Sequence, residues 1–311
     1  MLRQLSGPCE ASTRGSVGSV LSTTQFIRRT TFASASAKTH HATRPSPVAE
    51  AARTPAIPSS CALPVYIYPL LVPVAGLITM AATIGYSCTH QFTCSELYPT
   101  LSTAAKYHPQ FHIFAVGMNI TSYMIFLTVS LYSTFLLRTC SSSSWQRPLA
   151  WIYYAFGLLT CIGLSTLATF DLKRWELIHI AATVAFFVSS WVMMFLAQTS
   201  RWMLHYQKAA AVQAHRRALM WGNVWLGAGI ALSVSFGFCY LSVHKHIENV
   251  FHITYLMEAM CELFSIVCQL LFMGTLAAEV GDLDGIKASF HKGDAVVLGT
   301  MLVAVVAVEF I

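Results

Sequence analysis

The sequence predicts an all-α, polytopic membrane helix bundle of six transmembrane helices, with a seventh apolar segment near the carboxyl end. Three observations lead there. Apolar residues make up 55% of the 311 residues and charged ones only 10%, less than half the charge usual in a soluble domain, and the mean hydropathy is +0.58. Long apolar runs recur at lengths near the ~20 residues that a bilayer's hydrocarbon core demands. Two of them, 149–169 and 177–197, are separated only by a short segment holding Asp171, Lys173, Arg174 and Glu176, so they form a hairpin of antiparallel neighbours. Lipid cannot satisfy free backbone N–H and C=O groups, so such runs must be helices, and the alternating short strands of a barrel are absent.

Residues 1–60 carry seven basic residues among many Ser, Thr and Ala, against two acids, Glu10 and Glu50. With Pro45, Pro47, Pro55 and Pro58 and no sustained apolar periodicity, this reads as a disordered basic tail; a mitochondrial transit peptide is the alternative. Residues 61–285 form the transmembrane domain. The first span, 63–84, holds Pro64, Pro69 and Pro73 in its first half, and a kinked helix is expected, tolerated where neighbouring helices re-satisfy the freed backbone groups. A polar loop, 86–110, leads to a second span, 111–137, with Asn119 inside it; the hairpin supplies the third and fourth. A basic linker, 199–218, holding Arg201, Lys208, Arg216 and Arg217, precedes a fifth span, 219–243, rich in small residues that let helices approach closely. The sixth, 251–276, contains Glu258 and Glu262 at i and i+4, on one helical face. Residues 286–311 form a tail whose apolar stretch, 295–308, falls short of the ~17 residues needed to cross comfortably.

Charge sets the expected orientation. With the amino terminus cytosolic, only Lys106, Lys173, Arg174 and Lys245 of the 19 Lys and Arg fall on the opposite side, as the positive-inside rule requires. The loops 86–110, 170–176 and 244–250 then face the lumen or exterior. The net charge of +6 is spread over a tail and interhelix loops, which excludes the basic stripe of a nucleic-acid-binding protein.

An acid at the centre of a spanning helix costs about 2.5–3.5 kcal/mol on insertion scales and marks a functional or paired site. Glu258 and Glu262 therefore relay protons, bind a lipid headgroup or coordinate a cation, or else Glu258 lies near the lumenal interface and Glu262 bonds a Ser, Asn or His of a neighbouring helix. Seven of the twelve histidines, His90, His108, His112, His179, His244, His246 and His252, fall on the expected lumenal side, where imidazoles titrate between neutral and acidic compartments. His108 and His112 are i and i+4, but no HExxH or other tight ligand motif accompanies them, so neither a metal nor a cofactor is expected. Cys88 and Cys94 share the longest lumenal loop and would pair in an oxidising compartment. Cys161, Cys239, Cys261 and Cys268 fall in spans as small core residues, and Cys140, beside Arg138, is a candidate for palmitoylation. No Gly-rich phosphate loop, GxSxG elbow or CxxC is present, which excludes ATP-driven transport by this chain and the familiar serine hydrolases.

Four blocks carry a family resemblance. Pro99-Thr100-Leu101-Ser102, followed by Pro109-Gln110 and then Asn119, is the first; the run 157–170, ending in Thr169-Phe170 before Asp171, is the second. His179, followed by Ala181, Ala182, Phe186 and Phe187, is the third, and Ala259-Met260-Cys261-Glu262 the fourth. In this order and spacing they resemble the six-helix Frag/DRAM/Sfk family, which includes damage-regulated autophagy modulators and the GPI-anchor remodelling factors of the Golgi. The Pro-Gln pair leans toward the GPI branch and the Ala-x-Cys-Glu block toward the autophagy branch; the long basic tail and the apolar carboxyl segment depart from both.

The resemblance implies an endomembrane protein of the Golgi, ER or lysosome, with a mitochondrial membrane as the alternative suggested by the tail alone. It implies a non-catalytic lipid-handling or regulatory factor in GPI-anchor maturation or autophagy, whose partner is a membrane lipid or GPI-anchored glycolipid. The candidate functional residues are Pro109, Asn119, Asp171, His179, Glu258 and Glu262, gathered at the lumenal ends of helices two, three, four and six as a polar pocket for a headgroup or glycan. A lipid acyl-transfer or hydrolase enzyme using the same lumenal residues and a proton-coupled transporter using the two acids are the competing classes.

Overall fold

The computed structural model describes residues 64–95, 97–139, 146–206, 215–244 and 251–283, among which there is no strand. The helices are α1 (Ile67–His90), α2 (Leu101–Ala104), α3 (Gln110–Thr139), α4 (Gln146–Thr169), α5 (Glu176–Tyr206), α6 (Arg216–Val243), α7 (Tyr255–Thr275) and α8 (Ala277–Gly281). Among the described residues six segments are long and apolar enough to cross a membrane: α1, α3, α4, α5, α6 and the continuous α7–α8 stretch. The chain is an all-α integral membrane protein. The tail 1–60, Cys140 and the apolar stretch 295–308 lie outside the described residues.

Several helix ends differ from the sequence expectation, each for a local reason. α1 starts at Ile67 and continues six residues past 84, through Tyr86–His90 stacking at 4.0 Å and a Thr89 hydroxyl that donates to the Tyr86 carbonyl at 2.9 Å. Pro69 lies in its first turn, where an N–H has no intrahelical partner in any case, and the helix runs on through Pro73. Cys88, on the added turn, is disulfide-bonded to Cys94. α7 begins at Tyr255 rather than 251, capped by the Thr254 hydroxyl, which accepts from the Met257 N–H. The largest difference is in α5, which runs to Tyr206. Residues 199–206 are therefore helix and not linker, and Arg201 is fully buried.

Around the bundle, neighbours follow the order α1, α3, α4, α5, α6, α7 and back to α1, with the α5–α6 junction the thinnest. Because lipid tails are as apolar as the side chains, association rests on close packing and interhelical hydrogen bonds. Both are present. Ser122 donates to the Cys161 carbonyl across α3–α4 at 2.8 Å, and Thr160 donates to Ser189 across α4–α5 at 3.0 Å. Cys161, Cys239 and Cys268 are buried and Cys261 is half-buried. A Cβ placed on Gly163 of α4 would lie 2.9 Å from the backbone nitrogen of Phe186 on α5, and backbone cannot move aside as a side chain does.

Gly163→Leu is therefore expected to cost at least ~2 kcal/mol by forcing α4 and α5 apart, read as a lowered melting temperature of the protein in nanodiscs. Gly85→Ala, whose added carbon meets nothing within 4 Å, is expected to leave the melting temperature unchanged or raise it, since Ala is the better helix former.

Candidate functional site

At the end of the bundle that carries residues 97–109 and 170–175, a run of buried polar groups ties five elements together. Glu262, on α7 and 4% exposed, accepts the backbone N–H of Leu101 at 2.7 Å. Its partner is thus a loop-helix amide, not the Ser, Asn or His side chain expected. This bond seats α2, the one-turn helix opened by the Thr100 hydroxyl accepting from the Thr103 N–H, against α7. The next residue, Ser102, places its Oγ 3.2 Å from Nε2 of His179 on α5. Nδ1 of the same ring lies 2.8 Å from the Phe170 carbonyl, so it must be the donor there. The neutral imidazole then presents Nε2 as an acceptor to the serine hydroxyl. One residue away, Thr169 receives a hydrogen bond from Asn119 Nδ2 at 3.4 Å, and Ser165 donates to Asn119 Oδ1 at 2.6 Å.

The other candidate residues stand apart from this run. Asp171, 7% exposed, caps its own turn, its Oδ1 accepting from the N–H groups of Lys173 and Arg174 at 2.8 and 2.7 Å. Glu258, in the first turn of α7 and 2% exposed, pairs with His244, the residue that follows α6, at 3.4 Å, a turn away from Glu262. Pro109 forms the turn into α3, its carbonyl accepting the His112 N–H, and His108 lies 3.2 Å from His112. Instead of one open polar pocket, the structure brings together Asn119, His179 and Glu262 through Leu101, Ser102, Thr169 and Phe170. Among the described residues no three His, Cys, Asp or Glu side chains gather as a metal site.

Beneath the run lies a narrow cavity of about 30 Å³ between α3, α4, α5 and α7. Ser102 and Glu262 line it together with Phe114, Met118, Leu164 and Phe186. A second cavity of about 20 Å³ shares Phe186, Ile266 and Leu270 with it and continues past Gln269 to Met193, Met194 and Met273. Gln269 is 4% exposed, and neither atom of its amide has a hydrogen-bond partner among the described residues.

The opposite end is closed by charge. Arg201, 0% exposed, sits 2.7 Å from one carboxylate oxygen of Glu279 on α8 and donates to the other at 2.8 Å, to the Thr275 carbonyl at 2.9 Å and to its hydroxyl at 3.0 Å. Phe272 lies beneath the guanidinium at 5.7 Å. The sequence reading placed Arg201 in a linker and left Glu279 aside. The signal was there in Trp202, Met203 and Leu204, which extend the apolar run past it.

Removing one partner of a buried ion pair leaves an uncompensated charge. Arg201→Met is therefore expected to destabilise by about 3–5 kcal/mol, whereas Arg201→Met with Glu279→Leu recovers most of the loss. Chemical or thermal unfolding of the three proteins in one detergent checks this; a double variant no better than the single would refute it.

The family model for the Frag1/DRAM/Sfk1/Cwh43P N-terminal domain matches residues 62–283. That stretch takes in all six long helices and every residue of the polar run. No curated protein and no solved structure matches the chain. With most of its length covered by that one domain, and with the six-helix bundle in place, the chain belongs to the Frag1/DRAM/Sfk1/Cwh43P N-terminal domain family.

Proposed function

We propose that this protein is a lipid-handling factor of the endomembrane system that receives part of a membrane lipid, or of a GPI-anchored glycolipid, into its interior from the lumenal face. One observation carries the reading: Glu262, buried in α7, holds the short helix α2 beside a small apolar cavity between α3, α4, α5 and α7 that Glu262 and Ser102 both line. A lipid headgroup has polar groups to exchange with Glu262 and Ser102, and its chain has an apolar path beneath them. Four methionines, Met118, Met193, Met194 and Met273, line that path, and unbranched thioether side chains repack at low cost around a guest.

Binding and presentation of a lipid need no chemistry from the chain itself, which agrees with a regulatory or accessory role in GPI-anchor maturation or autophagy. An enzymatic reading is favoured by one contact, that of Ser102 with His179. A proton relay has less support: Glu258 and Glu262 are engaged by separate partners, His244 and Leu101.

Tagged full-length protein, and a form beginning at Ala62, are expected to co-localise at Golgi, ER or lysosomal membranes. Cells lacking the protein are expected to show altered anchor lipids on GPI-anchored proteins by mass spectrometry, corrected by the wild type but not by Glu262→Ala. The reading falls if the full chain alone is mitochondrial, or if anchor lipids and autophagic flux are both unchanged.

A further inference from the structure

We infer that Ser102 and His179 are a nucleophile and its general base, and that the chain transfers an acyl group from an ester-linked lipid through an acyl-Ser102 intermediate. The inference goes beyond the lipid-handling reading above, which stands or falls without it. Three features of the geometry converge on it.

The first is the pair itself. A serine within hydrogen-bond reach of an imidazole, with the imidazole oriented through its other nitrogen by a third group, is the arrangement that activates a hydroxyl for attack. Here Oγ of Ser102 is 3.2 Å from Nε2 of His179, and Nδ1 is fixed at 2.8 Å by the Phe170 carbonyl. That contact selects the tautomer in which Nε2 is free to take the serine proton.

The second is placement. His179 is 3% exposed, held away from bulk water, while Ser102 is half-buried and lines the cavity. A structural serine–histidine contact needs no approach path to its oxygen. This one opens onto a cavity.

The third is the shape and chemistry of what lies beyond the serine. From Glu262 to Met273 along α7 is about 16 Å at 1.5 Å per residue, and the two cavities strung along that length are narrow and apolar. At about 30 and 20 Å³ they are gaps and not a formed channel, so an extended hydrocarbon chain enters only as the methionines that line them repack, with the ester carbonyl of the lipid at Ser102. Glu262, which lines the same cavity as Ser102 and is already engaged by the Leu101 amide, offers an acceptor to a hydroxyl of the headgroup and orients it.

The chemistry balances without a metal, oxidant or nucleotide. Oγ of Ser102 attacks the ester carbonyl carbon while its proton passes to Nε2 of His179. As the tetrahedral adduct collapses, the ester C–O bond breaks and the departing lipid alkoxide takes the proton back from the imidazolium, leaving acyl-Ser102. A second alcohol, a lipid or glycan hydroxyl, then repeats the sequence in reverse. It gives its proton to His179, forms the new ester and restores the serine. Water reaching the same position turns the transfer into hydrolysis.

The test uses the full-length protein in nanodiscs and a fluorophosphonate bearing a long alkyl chain, which reacts only with an activated serine, with the modified residue mapped by peptide mass spectrometry. Expected is labelling of Ser102, its loss in Ser102→Ala, and a rate at least 100-fold lower in His179→Gln, the lower end of what a general base contributes. Met273→Trp fills the far cavity, which Ser102 does not line. It is expected to slow labelling by the long-chain probe about tenfold and a short-chain probe far less. Melting temperatures separate loss of the base from loss of the fold, and if His179→Gln does not fold the comparison of the two probes on Met273→Trp decides. An unlabelled Ser102 in the folded wild type overturns the inference, as does equal labelling in folded His179→Gln or equal sensitivity of both probes to Met273→Trp. An unlabelled Ser102 together with altered anchor lipids in cells lacking the protein removes the chemistry and leaves the lipid-handling reading in place.

Discussion

The bond from the Leu101 N–H to Glu262 is the interaction on which the arrangement of the loop end depends. A carboxylate on a spanning helix has no water to turn to, and an unpaired amide there is nearly as costly, so each is the other's most available partner. Satisfying both fixes α2 over α7. With α2 fixed, Ser102 meets His179 of α5; His179 in turn holds the Phe170 carbonyl at the end of α4; and Thr169 beside it receives Asn119 of α3. Five elements, from α2 near residue 101 to α7 at residue 262, are thereby brought into register by groups that the bilayer would otherwise leave orphaned.

At the far end the same constraint has a different solution. Arg201 is sunk completely and uses both carboxylate oxygens of Glu279 together with the carbonyl and hydroxyl of Thr275. This clamp joins the end of α5 to the end of α7 and α8, elements that touch little elsewhere. Polar clamps at both ends hold the helices at fixed separation while the middle between them is filled by methionine, leucine and phenylalanine with gaps left over. Gln269 lies in that middle with its amide unpartnered among the described residues. A bundle selected for packing alone would place Leu or Met there, because a buried amide without a partner is destabilising. Its presence beside a gap suits a protein whose interior is meant to be occupied.

The six spans, the hairpin of α4 and α5 and the burial of both glutamates were legible in the sequence because each rests on composition over many residues, which averages out local detail. What was not legible depends on single partners. Arg201 gave residues 199–206 the look of a linker although Trp202, Met203 and Leu204 carry the apolar run past it, and the partner that lets the charge be buried, Glu279, lies 78 residues later. The partner of Glu262 could not be read because it is a backbone amide, and every residue carries one of those. Ser102 stood inside a recognisable block, yet nothing in its neighbourhood pointed to an imidazole 77 positions away. Histidine counts misled in the opposite direction: seven fall on one side, but His108 and His112 contact each other, His244 pairs with Glu258, and among the described residues only His179 joins the central run.

The orientation of His179 also bears on how strong a base it makes. In the serine–histidine–aspartate arrangement a carboxylate faces Nδ1 and stabilises the imidazolium as it forms. Here a neutral carbonyl holds that position, and the acid of the neighbourhood, Asp171, spends one of its oxygens on the N–H groups of its own turn. A carbonyl fixes the tautomer as well as an aspartate does but returns less of the energy of charge formation, so an acyl transfer of the kind proposed would activate Ser102 less and turn over more slowly than a soluble hydrolase. For a protein embedded among ester lipids at very high local concentration, a weak nucleophile would be the safer arrangement: it would react only with a chain already seated and oriented, since positioning alone supplies much of the barrier lowering.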